Sequence, residues 1–226
     1  MKTIFVKSQQ RQLINEPGDL KIVLEEGAYA EHYLFAPATI VVEQKKDSRY
    51  KVVTMGSATI TDSLLEEGAE AELFGLTLAG NEHERQNRIH VSHLAPHTTS
   101  RQLYKSIVWQ HGRSQFEGKI SIEKGGQKSI ASQVNKNLVL SKDARAESKP
   151  ELKIDTDDVK VSHGSATGHL DTDALFYLQT RGLNKDDARH LLLKGFCQEI
   201  LDEINDPALL ATALNRVAEA IEHTTV

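Results

Sequence analysis

Apolar residues follow two different patterns along this chain of 226 residues. From Met1 to about Leu170 they form short β-branched runs separated by Gly, Asn, Asp and Pro, a pattern typical of strands. No convincing amphipathic helix separates these runs, which argues against a βαβ sheet. From Asp171 onward the apolar residues recur at helical spacing. The pattern predicts a mainly β domain over residues 1–170 and a small α-helical domain over residues 171–226.

A faint repeat indicates how the strands are arranged. Residues 24–31, LEEGAYAE, recur as LEEGAEAE at 65–72, with weaker echoes at 122–126 and 140–147. Each unit places a Gly or Asp suited to a left-handed turn before small residues. Such a unit suits the corner of a β-solenoid, where every rung of the coil turns at a similar place. An antiparallel sandwich remains the alternative. The predicted strands are 3–6, 20–24, 33–35, 39–43, 50–55, 58–64, 72–78, 88–92, 106–110, 114–122, 129–135, 137–140, 151–154 and 159–162.

Three helices are predicted after residue 170. Asp171 or Thr172 caps the first, and Gly182 is placed to end it in a left-handed conformation. Asn184 caps the second helix. Asp206 caps the third, with Pro207 in its first turn.

The second and third helices each carry a predicted apolar stripe. Gly195, inside the second helix, marks either a close crossing or a tolerated defect that costs about 1 kcal/mol. The second stripe comprises Ala188, Leu191, Leu192, Phe196, Ile200, Leu201 and Ile204. The third comprises Leu210, Ala213, Leu214, Val217 and Ile221.

The composition excludes several classes of protein. A formal net charge of −5, with both signs mixed along the chain, argues against a nucleic-acid partner. The single cysteine, Cys197, excludes an internal disulfide framework. No apolar run approaches the roughly 18 residues of a membrane span, and the first residues show no secretory signal. A cytoplasmic protein without a membrane span is therefore expected.

Motifs for independent catalysis are missing. The chain has no GxGxxG, Walker or GxSxG motif, and we expect no enzymatic activity and no catalytic residues. Cys197 is predicted to be a buried, inert thiol, because its mid-helix position supplies no dipole to activate it. Four histidines lie close together in the sequence, as in a metal site. His90 and His93 should, however, point to opposite faces of one strand, which argues against a metal site here. His93 is interpreted as structural, bonding across a loop. The four are His83, His90, His93 and His97.

His163 is the candidate site residue. It lies between Ser162 and Gly164 at the junction of the two predicted domains, where small neighbours leave its ring uncovered. The alternative is a turn histidine that satisfies nearby backbone groups.

A series of short motifs runs through residues 135–196. They are 135–141, 148–154, 158–160, 162–168, 175–178 and 180–182, with Ala144, Gly195 and Phe196. In these motifs the chain resembles the core region of the SufB/SufD family of iron-sulfur cluster assembly. The triplet Ser162-His163-Gly164 resembles the SufD branch. The resemblance extends more loosely back to His93 and covers most of the chain.

The resemblance implies a right-handed parallel β-helix followed by a small C-terminal α-helical domain. It further implies a SufD-like scaffold in a SufBCD complex that pairs through the β-helix with SufB or with a second copy of itself. A SufC-type ABC ATPase would dock on the C-terminal helices, and His163 would lie at the cluster-assembly interface as a possible metal ligand. A transient iron-sulfur cluster is expected at that interface and none on the isolated chain. The implied ATPase-docking residues are Phe176, Tyr177, Arg181, Gly182, Gly195 and Phe196.

The chain departs from the family pattern in two respects, and two alternative functions remain open. The chain is shorter than a typical SufD and lacks an N-terminal helical region. No cysteine stands near Asn135, where SufB carries its sulfur-accepting residue, so this chain alone should not receive persulfide sulfur. One rival is a minimal homodimeric scaffold that acts with SufC alone. The other, more distant, is a β-helix polysaccharide-active enzyme.

Overall fold

The computed structural model describes residues 1–224, and residues 225–226 of the predicted helical domain lie outside the described residues. Within residues 1–224 it contains fourteen strands followed by three helices. The strands are β1 (Lys2–Val6), β2 (Arg11–Ile14), β3 (Leu20–Leu24), β4 (Tyr29–Leu34), β5 (Ala38–Gln44), β6 (Arg49–Met55), β7 (Ala58–Leu64), β8 (Glu70–Ala79), β9 (Glu84–His93), β10 (Thr99–Val108), β11 (Arg113–Ile122), β12 (Ile130–Val139), β13 (Arg145–Ile154) and β14 (Lys160–Gly168). The helices are α1 (Thr172–Thr180), α2 (Lys185–Leu201) and α3 (Pro207–Glu222).

The strands form two parallel sheets that together make a β-helix. Odd-numbered strands stack in the order β1-β3-β5-β7-β9-β11-β13, which we call sheet A. Even-numbered strands stack as β14-β12-β10-β8-β6-β4-β2, which we call sheet B. The chain therefore alternates between the sheets and climbs one rung with each pair of strands. This confirms the mainly β, parallel β-helix prediction and excludes the antiparallel sandwich.

The repeat marks the corners of the coil. Residues 24–31 and 65–72 both connect sheet A to sheet B, and Gly27 and Gly68 adopt φ of 64° and 74° there. The same corner in every other rung except the last also carries one left-handed residue, even where it is not glycine, such as Asp47 at 51° and His97 at 58°. A left-handed residue therefore turns the chain at this corner in every rung but the last, and His97 has a conformational role.

The strand predictions were right in position but often too short. Residues 129–135 and 137–140, predicted as two strands, form the single strand β12. Strands β10 and β13 begin seven and six residues earlier than predicted, at Thr99 and Arg145. Strand β2 was not predicted, because Arg11–Ile14 is short and half polar. Its backbone pairing with β4 stabilises it as a strand, although its own sequence shows no strand pattern.

Helices α2 and α3 pack on the outer face of sheet B and share a hydrophobic core with it. Phe74, Leu103 and Trp109 of the sheet side belong to the same buried cluster as Leu193 and Val217 of the helices. Polar contacts add to this interface: the ammonium of Lys105 lies 2.6 Å from a Glu199 carboxylate oxygen and donates to the Phe196 carbonyl at 2.9 Å. The predicted division at residues 170 and 171 thus falls between elements that pack closely together.

The buried face of α2 differs from the predicted one. Leu193 and Cys197 are fully buried, whereas Leu192 and Phe196, one position earlier, are only half-buried. Leu191 is 49% exposed. Because residues 191–193 are all leucine, several helical faces fit the pattern equally well, and packing against sheet B selects the one that contains Leu193. The rest of the predicted stripe is confirmed by burial of Ala188, Ile200, Leu201 and Ile204, the last of which follows the helix.

The predicted caps at the starts of the three helices are confirmed, whereas α2 ends at Leu201, before the predicted end at Asn205. The Asp171 carboxylate accepts from the Asp173 amide at 2.8 Å, and Asn184 and Asp206 cap α2 and α3 in the same way. Gly182 follows α1 with φ of 97°. In α3 the side chains of Ala213, Val217 and Ile221 are buried, whereas Leu214 of the predicted stripe is 45% exposed. Within residues 1–224, none of the helices combines the length and apolar character needed to cross a membrane.

Candidate functional site

The C-terminal end of the β-helix is open. Strands β13 and β14 are the last strands of sheets A and B, so both sheets end at the same rung. Inward positions in earlier rungs are buried, as in β11, where Phe116 and Ile120 are 3% and 0% exposed. Their partners in β13, Ser148 and Leu152, are only half-buried. No further rung covers this end within residues 1–224.

His163 faces the interior of the coil at this open end. It pairs in register with Gln133 of β12, which is 1% exposed, and parallel partners in register point to the same side. The hydrogen bond of 3.1 Å from Asn137 to the Thr167 hydroxyl, two pairs further along, confirms this orientation for β14. The side chain of His163 is exposed and has no hydrogen-bond partner among residues 1–224. Both imidazole nitrogens are therefore free to bind a ligand.

The interior becomes polar as it approaches His163. The column that ends at His163 passes through Val52 and Leu73 and then through Gln102 and Gln133. The Gln133 amide donates to the Gln102 oxygen at 2.8 Å, while the Gln133 oxygen is buried without a hydrogen-bond partner within residues 1–224. An unpaired buried acceptor is costly unless water or a ligand reaches it. The open end is thus a polar mouth lined by amides and hydroxyls.

The two edge strands differ in how they are protected. Strand β13 carries Pro150 and alternating charges such as Glu147 and Lys149, which oppose pairing with another strand. Strand β14 has the sequence KVSHGSATG, with Lys160 as its only Lys, Arg, Asp or Glu and no proline. A strand of this length with a bare edge presents unpaired amides and carbonyls to a partner. Of the two edge strands, β14 is therefore the less protected against pairing with another strand.

Metal-binding side chains do not cluster in the described part of the chain. Within residues 1–224 no three His, Cys, Asp or Glu side chains lie close enough together to hold a metal ion. Cys197, as predicted, is buried in the helix-sheet core, and burial raises the pKa of its thiol to about 12. The thiol of Cys197 therefore stays protonated at neutral pH, and His163 is the one His, Cys, Asp or Glu residue within strand β14.

The histidines at residues 83–97 are dispersed. His93 is buried and bonds to the hydroxyls of Thr98 at 2.8 Å and Ser100 at 2.9 Å, which confirms its structural role. His90, three residues earlier on β9, lies on the opposite face, as predicted. His83 contacts a turn carbonyl at 2.8 Å.

An exposed aromatic surface lies on α1. Phe176 and Tyr177 are 67% and 56% exposed, and α1 contains no buried residue. The Arg181 guanidinium lies 5.1 Å from the centre of the Tyr177 ring, and Gly182 is exposed next to it. Four of the six predicted docking residues therefore lie together at the end of one helix. Large apolar side chains so exposed are typical of a surface that awaits a partner.

The other two predicted docking residues have different surroundings. Phe196 is half-buried against sheet B, with the Lys105 ammonium 4.8 Å from its ring centre. Gly195 is exposed, and a Cβ added to it would meet no atom within 4 Å. Gly195 therefore does not mark a close crossing of two helices. Of the two interpretations, the tolerated defect in α2 remains.

Sequence reasoning missed the polar column beneath His163. Gln102 and Gln133 are 31 residues apart along the chain, and only the register of β10 with β12 places one above the other. The available signal was the alternation of polar residues at positions 133, 135 and 137, which a half-exposed strand would also show.

Comparisons with known proteins identify the family of this chain. Residues 19–196 match the family model described as SUF system FeS cluster assembly, SufBD core domain. An iron-sulfur cluster assembly SufBD family protein of Synechocystis sp. is 39% identical over 200 residues, which cover 85% of this chain and 43% of that protein. Iron-sulfur cluster assembly protein SufD of Escherichia coli is 37% identical over 122 residues, or 54% of this chain and 29% of SufD. A SufBD family protein of Mycobacterium leprae is 34% identical over 187 residues, or 77% of this chain and 47% of that protein. The matches span less than half the length of each of these relatives.

Proposed function

Because the chain belongs to the SufB/SufD family of iron-sulfur cluster assembly proteins, we propose that it is a SufD-like scaffold of the assembly complex. In this role it pairs through the open end of its β-helix with a SufB-type protein or a second copy of itself. A SufC-type ABC ATPase docks on its C-terminal helices. The observation that carries the proposal is the uncovered last rung, which places His163 and a bare strand edge at one surface.

Pairing through β14 follows from the chemistry of the edge. A two-fold or pseudo-two-fold axis across the edge would place two such strands antiparallel, so that the two sheets B continue into one. An axis near the middle of the strand, around Gly164, would bring the inward-facing side chains of both partners into one shared mouth. Pairing would also cover backbone groups that this rung leaves exposed.

His163 is proposed to contact the cluster that the complex assembles. The cluster is cargo of the assembly reaction, and a neutral imidazole nitrogen is a competent ligand for its iron. One chain supplies a single exposed histidine at the mouth, so the remaining ligands would come from the partner across the interface. The unpaired Gln133 oxygen beneath it offers an acceptor to a ring N–H or to a water, an arrangement that orients ligating histidines elsewhere.

Docking of the ATPase is proposed at the exposed end of α1. Aromatic anchors dominate the binding energy of most interfaces, and Phe176 and Tyr177 are the most exposed aromatic residues of the helical part. Arg181 and Gly182 would border them. Since α2 and α3 are fixed on sheet B by a shared core, a force applied at α1 would be transmitted to the β-helix.

We expect the double variant Phe176→Ala, Tyr177→Ala to weaken ATPase binding by at least about tenfold, because each anchor contributes roughly 1 kcal/mol or more. Calorimetric titration of the ATPase from the same genome into both proteins measures this loss. Leu214→Ala is the matched control, since Leu214 is also exposed but lies on α3. Failure of the wild-type chain to bind the ATPase, or equal binding by the double variant, would contradict the docking site.

A further inference from the structure

A cavity of about 430 Å³ lies between α3 and the sheet-connecting turns of the β-helix, far along the sequence from His163 and α1. Its apolar walls come from aromatic and aliphatic side chains of both parts. They are Phe35, Met55, Leu76, Leu78 and Trp109. The volume falls in the range of about 300–1,000 Å³ that is usual for small-molecule sites.

The charges that line the cavity are mainly positive. Arg216 donates to the Phe35 carbonyl at 2.8 Å, and its guanidinium lies 5.3 Å from the centre of the Phe35 ring. Arg85 is half-buried, and its side chain has no ion pair or hydrogen bond within residues 1–224. Among the described residues that line the cavity, Glu219 is the only acidic one. A partly desolvated guanidinium without a counter-charge beside an apolar wall is a site for an anion that carries an apolar body.

We propose that this cavity binds a small organic acid with an aromatic or similar ring body, with its carboxylate or sulfonate against Arg85. The guanidinium fork can donate two parallel hydrogen bonds to such an anion. The ring would replace water against Phe35 and Trp109, which contributes burial energy without requiring a specific polar contact. An uncharged molecule of the same shape would still gain the burial energy of the ring but would lose the hydrogen bonds to Arg85. The site does not depend on pairing or on ATPase docking.

Trp109 provides a built-in reporter for this test. It is the only tryptophan in the chain, is 7% exposed and lines the cavity. Two fluorescent probes serve as ligands: anilinonaphthalene sulfonate, which carries an anion, and phenylnaphthylamine, which has similar rings without it. We expect the sulfonate to quench Trp109 emission saturably and to bind at least about tenfold more tightly than the uncharged probe, since a charge-assisted bidentate contact contributes at least about 1.4 kcal/mol.

Two variants test the two parts of the site. Arg85→Gln should remove the preference for the sulfonate and leave binding of the uncharged probe unchanged. Ala220→Phe, which places a ring in the cavity, should weaken both probes at least about tenfold. Arg88→Gln, the same change on the outer face of sheet A, is the control and should bind as wild type. Absence of Trp109 quenching, an equal affinity for the two probes, or wild-type binding by Arg85→Gln and Ala220→Phe would overturn the proposal.

Discussion

Asp62→Asn should stabilise the protein strongly at pH 8 and only weakly at pH 4. Asp62 is completely buried inside the β-helix, and within residues 1–224 only the Gln44 amide donates to its carboxylate, at 3.0 and 3.1 Å. Burial therefore raises the pKa of this carboxyl from 3.8 to about 7. Above that pH the folded protein must hold an uncompensated charge in its core.

Proton linkage determines how the stability contributed by Asp62 changes with pH. A carboxyl whose pKa is higher in the folded state stabilises the fold fully below its unfolded pKa, near 3.8, and this contribution is lost as the pH rises to about 7. Asparagine does not titrate, so the variant avoids this loss. The difference in the free energy of unfolding should grow from near zero at pH 4 to roughly 4 kcal/mol at pH 8, as an upper value.

Urea unfolding of both proteins at pH 4 and pH 8 measures this difference. His32 and His93, whose pKa values burial lowers to about 4, also make stability depend on pH, but both proteins share them. Asp143→Asn, at an exposed position, should leave stability unchanged at either pH. If the stability of Asp62→Asn relative to wild type is the same at pH 4 and pH 8, the carboxyl of Asp62 titrates normally in the fold, which contradicts this prediction.

Ser165→Pro should abolish pairing through β14 and leave the β-helix intact. The Lys160 amide donates to the Ser129 carbonyl of the adjacent rung, and along a parallel strand the amides point alternately to either side. The amide of Ser165, five residues on, therefore points away from β12, toward the partner. Proline removes that donor and places a ring on the free edge without breaking the ladder to β12.

Light scattering after gel filtration measures the mass of wild type and Ser165→Pro, each alone and mixed with a SufB-type protein from the same genome. Wild type should pair in at least one of these samples, and Ser165→Pro should remain at the monomer mass of 25.1 kDa in both. Ser165→Ala, which keeps the amide, should pair like wild type. A wild-type chain that never pairs, or a proline variant that pairs equally well, would contradict the assignment of the edge.

Local sequence rules were sufficient to predict the corners of the β-helix and the caps of the helices. Gly27 and Gly68 occupy left-handed corners because only a few residue types tolerate that conformation, and the side chains of Asp171, Asn184 and Asp206 cap helices for equally local reasons. These features depend on a few neighbouring residues, and a single sequence shows them.

Features that depend on stacking were not predictable in the same way. Strand β2 exists through its pairing with β4, and Leu193 rather than Leu192 faces sheet B because of the surface it meets. His163 could be recognised as a candidate because small residues flank it. Its inward orientation above Gln133 required the register of β14 with β12, which is set by the whole coil.

Cluster formation by a complex reconstituted with His163→Ala tests the central claim most directly. The complex contains this chain, its pairing partner and the ATPase, and the yield is read from the visible absorption of the assembled cluster. We expect His163→Ala to pair normally by light scattering and to lower the cluster yield by roughly tenfold or more, as loss of a ligand or its support does at other metal sites. Ser162→Ala, the neighbouring outward-facing position on β14, should assemble clusters as wild type does. A His163→Ala complex of normal mass that assembles clusters at the wild-type yield would contradict the account.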